Sequence, residues 1–354
     1  MDADPRGGVR NRREDQQSGE SVLVKNVGLT IVRSEILRVV LRRLIQSIPV
    51  LLGVSFIVFL VLNILPGGTA VALLGVNATP KLVHALDVRL GLDHPFFDRY
   101  FHWLWQALHG NLGDSLENNL PVARTLGERL QPSLEIGLAA FFEALIFAIP
   151  TAIAVARRPH GVLDRVNVAV SMFGFSCPTF LLGLLGIIVF SVNLHWLPAT
   201  GFVPISAGLG PNIKSIVLPS ATVAFGLFCG YTRILRADLV DQMRGEDYIM
   251  TARAKGLSQW RILIRHAFRN ALFNMITVVV LNIGTLVGGQ VLVEQIFAIP
   301  GMGLLLISSI NNRDIVTVQA EVTLIACAIV AANLLADVLY MVLDPRIRHG
   351  RIAS

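Results

Sequence analysis

The chain has 354 residues, of which 53% are hydrophobic and only 15% charged, and its formal net charge is +6. Soluble domains carry about 25% charged residues, so with a mean hydropathy of +0.63 this composition excludes a disordered chain, a nucleic-acid module and an ordinary soluble enzyme. The basic residues sit in short clusters beside apolar runs, a pattern that orients a membrane protein rather than binds phosphate backbones. Cys177, Cys229 and Cys327 lie far apart inside apolar runs, which suits neither a disulfide framework nor a zinc site.

In chain order, residues 1–21 are polar and have no apolar core, so the segment 1–35 reads as a disordered cytoplasmic tail rather than a secretory signal. Residues 36–65 form a basic interfacial lead-in and a first span, with Leu44 to Leu65 free of charge. About 20 apolar residues cross a bilayer core as a helix. Five further spans meet that test: 136–156, 166–194, 215–232, 270–293 and 321–343. Their runs are long and continuous, unlike the ten-residue alternation of barrel strands. The predicted fold is therefore an all-α integral membrane protein with six transmembrane helices.

With both termini inside, 18 Lys and Arg residues lie near the inner ends of the spans and 7 outside. This satisfies the positive-inside rule. It predicts a multi-pass protein with both termini cytoplasmic, an extracytoplasmic insertion at 66–134, an inner loop at 233–269, an outer loop at 294–320 and a cytoplasmic tail at 344–354. In the insertion, Leu82, Val83, Leu86 and Leu90 suggest a short helix, and Tyr100 to Leu108 another. The aromatics of the second suit either an interface belt or a small outer lid. His84, His94, His102 and His109 lack the i, i+4 spacing of a helical metal pair, so no metal site is expected. Residues 295–312 are uncharged but broken at Pro300, Gly301 and Gly303, and read as extramembrane or re-entrant.

The inner loop 233–269 holds 8 of the 18 inner cations, most of them in DLVDQMRGEDYIMTARAKGLSQWRILIRHAFR. Asp247 suits the first turn of a helix, Gly256 a left-handed end, and Ser258 the cap of a second helix. Ala252 and Gly256, four apart, would let another surface approach closely. Such a loop is either a lipid-associated basic segment or a docking helix for a cytoplasmic partner.

Its wording, YIMTARAKGLSQWRILIRHAFRNAL, resembles the coupling loop of permease subunits of bacterial ABC importers, specifically the first-permease branch of the dipeptide/oligopeptide/nickel family. LRRLIQSIPVLLGVSFIVFLVLNILPG, VEQIFAIPGMG and NLLADVLYMVLDPRIRHG are similar to other blocks of that family, and the resemblance covers about residues 36 to 350. Met250 stands where the wider superfamily has a glutamate, and Asn111 where this branch often has an acid. The resemblance implies the type I importer permease fold and a place in the bacterial inner membrane. It also implies a second permease, two ATP-binding subunits and an extracytoplasmic substrate-binding protein as partners, in addition to membrane lipid and with no nucleic acid.

The chain contains no G-x-x-x-x-G-K-[ST], and none of Lys25, Lys81, Lys214 and Lys255 sits in such a loop. It is thus expected to be no enzyme and to carry no cofactor, ATP and Mg belonging to a partner. The coupling candidates are Asp247, Tyr248, Ala252, Arg253, Lys255, Gly256, Leu257 and Arg261. Glu143 and Asn282 are the polar groups that would either line the path or bond between helices. Di- and oligopeptides are the implied cargo. An ion-gradient transporter is the alternative, although no repeated halves are evident. An intramembrane enzyme lacks its motifs.

Overall fold

The computed structural model describes residues 40–62, 71, 79–89, 94–288 and 290–343. The expected N-terminal tail, Leu90, Asn63, Gly289 and the C-terminal tail lie outside the described residues. All regular structure among them is helical: α1 (Val40–Leu62), α2 (Pro80–Arg89), α3 (Phe96–Leu108), α4 (Val122–Ala156), α5 (Val162–Ser176), α6 (Thr179–Gly186, continued by a π-helical turn to Asn193), α7 (Leu209–Gly245), α8 (Asp247–Ala254), α9 (Gln259–Ile262, continued by a π-helical turn to Ala267), α10 (Phe268–Gly288), α11 (Val291–Ile296), α12 (Met302–Asn311) and α13 (Ile315–Leu343). Among the described residues, four helices are long and apolar enough to cross a membrane: α1, α4, α7 and, within α13, Ile315–Val338. A fifth crossing follows if the bent pair α5–α6 is one span.

The chain divides into two compact units. Among the described residues, one comprises 40–50 and 337–343, the other those from Leu51 to Ala336. In the first, Arg43 Nε meets Asp337 Oδ2 at 3.0 Å.

In the larger unit, α4 and α7 form the spine. Ala140, Ala144, Ala148 and Ala152 recur every fourth residue of α4 and are all fully buried. This strip of single methyl groups admits α7 closely, with Ala224, Tyr231, Leu235 and Leu239 in the same core. The outer flank of α4 keeps large apolar side chains exposed, Ile146 at 64% and Phe147 at 63%. Such faces belong against lipid rather than water. At 35 and 37 residues, α4 and α7 are about 50–55 Å long. That exceeds a hydrocarbon core of about 30 Å, so their ends extend past it.

The run 166–194, expected as one span, is two helices bent by 104°. Pro178 has no N–H to continue the ladder, and the residue before a proline is pushed out of the helical region; Cys177 sits at ψ 122. Counting charges along the chain is blind to this break. The inner loop also differs from the expectation, because α7 continues through Arg233 to Gly245 as helix. At the other end, α4 begins at Val122 and takes up the last part of the expected insertion.

The two short helices expected near Leu82 and at Tyr100 to Leu108 form as α2 and α3. Tyr100 is buried, its hydroxyl 2.9 Å from Ser55 Oγ and donating to the Leu52 carbonyl at 3.2 Å. Phe56 and Phe59 pack edge-on against its ring, and Phe96 packs edge-on against both of them. The opposite face of α3, with Phe101, Trp105 and Leu108, is exposed.

Candidate functional site

α8 is built by local chemistry. Asp247 lies in its first turn. Its end is closed by Gly256 at φ +74, whose N–H donates to the Arg253 carbonyl at 2.9 Å, while the Leu257 N–H donates to Ala252 at 3.3 Å. A non-glycine residue pays for that left-handed backbone, although a Cβ there would meet nothing within 4 Å. Ser258 then caps the next helix, accepting the Arg261 N–H at 3.4 Å.

Burial sorts the candidates into two faces. Ile249 and Ala252 point inward, packed with Leu235, Leu239, Ile262, Leu263 and Ala267. The small size of Ala252 is therefore used inside this chain, where a larger side chain would push α8 off α7. Tyr248 is half-buried and donates its hydroxyl to Gln242 Oε1, and Leu257 packs at the edge of the same core. Asp247, Arg253, Lys255, Gly256 and Arg261 face outward, as does Met250 at 65% exposure. Arg253 donates to the Met243 carbonyl at 2.8 Å, which ties the base of α8 to the end of α7. The result is a short, rigidly seated helix with a charged, open outer face.

The two intramembrane polar candidates both bond between helices. Glu143 Oε1 accepts the Ser220 hydroxyl at 2.8 Å, joining α4 to α7, and the acid borders a groove of about 280 Å³ lined by Phe147, Phe225 and Phe228. Asn282 Nδ2 donates to the Tyr231 hydroxyl at 3.3 Å, joining α10 to α7.

Residues 148–349 match the family described as binding-protein-dependent transport system inner membrane component, and residues 36–137 match the N-terminal region of such membrane components. The chain belongs to this family. As a permease it is similar, at 37% identity over 311 residues, to a protein of Brucella abortus (strain 2308) named for a peptide transport system permease. That match covers 88% of this chain and 98% of the relative. A Sinorhizobium fredii protein named for a peptide ABC transporter permease is 34% identical over 310 residues, covering 88% and 99%. The glutathione transport system permease protein GsiC of Escherichia coli (strain K12) is 36% identical over 313 residues, again covering 88% and 99%.

Sequence reasoning missed three buried polar clusters that hold the permease together. Asp164, 3% exposed, receives both the Nε and an Nη of Arg236 at 2.5 and 2.6 Å, and also the His160 N–H at 2.7 Å. Glu294, 1% exposed, accepts the Ser133 hydroxyl at 2.6 Å and the Leu304 N–H at 3.0 Å. Ser133 in turn accepts the Met302 N–H at 2.8 Å. Burial pushes the Glu294 carboxyl above the usual range, while these donors pull it back. Asp314, 2% exposed, caps α13 through the Thr317 N–H and hydroxyl at 3.2 and 2.6 Å, and accepts the Ser115 hydroxyl at 2.5 Å. Two of the acids stand beside Pro-Gly or Asn-rich stretches that read as loops. Small residues make room for such an acid in space: a Cβ on Gly301 would fall on the Glu294 carboxylate.

Proposed function

We propose that this permease forms half of the translocation path of an ATP-driven peptide importer, and that α8 is where a separate ATP-binding subunit pushes. The observation that carries this reading is the two-faced character of α8. Ile249 and Ala252 lock it into the core of α7 and α9, and Asp247, Arg253, Lys255 and Arg261 are free to meet a partner. A load applied to that outer face would pass into the membrane helices through packed side chains. Gly256 sets the elbow, and Tyr248 and Leu257 brace it. Because the chain has no phosphate-binding loop, the energy must come from another polypeptide, with ATP and Mg bound there.

On this reading the permease crosses the membrane six times, through α1, α4, the bent pair α5–α6, α7, α10 and α13, with α10, 21 residues long, supplying the sixth crossing. The helices α2 and α3 belong to an extracytoplasmic insertion. Both termini and α8 lie in the cytoplasm of a bacterial inner membrane, in line with the excess of inner arginines. A second permease, two ATP-binding subunits and an extracytoplasmic binding protein complete the assembly. The relatives named for peptides and for glutathione, itself a short peptide, support a peptide cargo. Glu143 and Asn282 serve as bonds between helices.

The test is Gly256→Trp in the assembled transporter. A bulky residue at a left-handed position reshapes the elbow, so ATP hydrolysis should persist while uptake falls at least tenfold. Wild-type uptake by this variant would refute the assignment. Cysteine accessibility at position 253 from the cytoplasmic side alone checks the orientation.

A further inference from the structure

The ends of α4 and α5 and the start of α9 enclose a groove of about 750 Å³, a volume in the range of ligand sites. Its lining is apolar, with Ile149 and Ile153 partly buried and Leu163 and Ile264 nearer the surface. Its mouth is cationic: Arg157 and Arg158, both exposed, with the Arg157 guanidinium 5.9 Å from the centre of the Trp260 ring. The ion pairs of the described residues engage Arg43, Arg124 and Arg236, so neither arginine at the mouth has a carboxylate partner among them. Leu163 and Trp260 remain 67% and 52% exposed.

We infer that this groove binds one anionic phospholipid of the inner leaflet. The arginine pair presents planar donors suited to a phosphodiester, Trp260 suits the depth of the headgroup and glycerol, and the apolar lining accepts an acyl chain. Basic pockets between membrane helices on the cytoplasmic side recognise anionic headgroups by this combination. A solvated basic loop would need no apolar lining, and a generic interface belt would need no concavity. Trp260 follows Gly256 by four residues, so the lipid touches the segment that carries the coupling elbow. The inference rests on the orientation proposed above, which puts this end of α4 at the inner leaflet.

The assembled transporter, in detergent, is titrated with phosphatidylglycerol and separately with phosphatidylcholine, and bound lipid is counted by native mass spectrometry. Phosphatidylglycerol should occupy one site at least tenfold more tightly. Each arginine near a headgroup is worth a factor of about five, so Arg157→Gln with Arg158→Gln should weaken that site roughly 25-fold. Ile153→Trp, which fills the groove, should also empty it, whereas Lys214→Gln should leave it unchanged. Inorganic phosphate should not displace the lipid. Equal binding of the two lipids, indifference to the double substitution, or displacement by phosphate would overturn the inference. So would a photo-reactive residue at position 260 that captures the ATP-binding subunit in place of lipid. Detergent removes sidedness from the titration, so an error of orientation appears separately, as outside labelling of His160→Cys in intact cells.

Discussion

The segment from α11 to α12 and the helix α8 are both short helical stretches, yet they are built in opposite ways. The first is knotted from within. Glu294, Ser133 and the Met302 and Leu304 N–H groups satisfy one another in a site closed to water, and Gly301 and Gly303 leave no room for a Cβ. In α8 two apolar residues are buried and the charges point out. The contrast separates a part that must hold its shape from a part free to be gripped. Substitutions in the knot should remove the protein, and substitutions on the outer face of α8 should remove only its work.

The largest effect is expected at the knot. Glu294→Ala strands the Ser133 hydroxyl and the Leu304 N–H, and each buried group left unpaired costs about 1–3 kcal/mol. The permease should therefore be depleted from membranes, as immunoblotting of membrane fractions would read. A normal amount of protein would dissolve the contrast. Nearly as large is Asp164→Ala, which leaves the partly buried Arg236 uncompensated, a loss that approaches about 3 kcal/mol. Thermal unfolding in detergent measures it, and Arg236→Met combined with Asp164→Leu should recover much of the loss.

The knot should also respond to pH. Its acid holds a proton at a pH where the ordinary glutamate of the unfolded chain, near 4.5, has lost one. The folded state then binds more protons, so this group's contribution weakens as pH rises above the ordinary value and falls fully away above the raised one. Melting temperatures should decline toward alkaline pH, and Glu294→Gln should flatten the decline. An unchanged slope in that variant would assign the effect elsewhere.

On α8 the expected effect on stability is small and that on function is large. Lys255→Glu with Arg261→Glu alters exposed positions, where changes usually stay within about 0.5 kcal/mol. Melting should hardly move while ATP-dependent uptake falls at least tenfold. Smallest of all is Glu143→Gln, which keeps an acceptor for the Ser220 hydroxyl. Uptake should stay within about twofold of the parent, and a loss above tenfold would make Glu143 a path residue after all.

The sequence foretold best where structure is a matter of adjacent residues. Asp247, Gly256 and Ser258 mark starts and stops that depend only on local backbone chemistry, and all three stand where that chemistry puts them. The helical character of the insertion at Tyr100 to Leu108 was legible for the same reason. The inward turn of Ala252 was not legible, because periodicity over eight residues cannot say which side the rest of the chain occupies. The bend at Pro178 lay hidden in a run judged by charge alone. Glu294, Asp314 and Asp164 escaped notice because an acid's value depends on donors 72 to 199 residues away, as with Arg236, Ser133 and Ser115, and no local pattern announces them.

The claim on which the account turns is that this permease does no transport by itself. The direct measurement is peptide uptake into vesicles holding the purified chain alone, set beside vesicles holding the whole assembly with its binding protein and ATP. The account predicts accumulation in the second only, ceasing when ATP is withdrawn while an ion gradient is maintained. Accumulation against a gradient by the chain alone would contradict it.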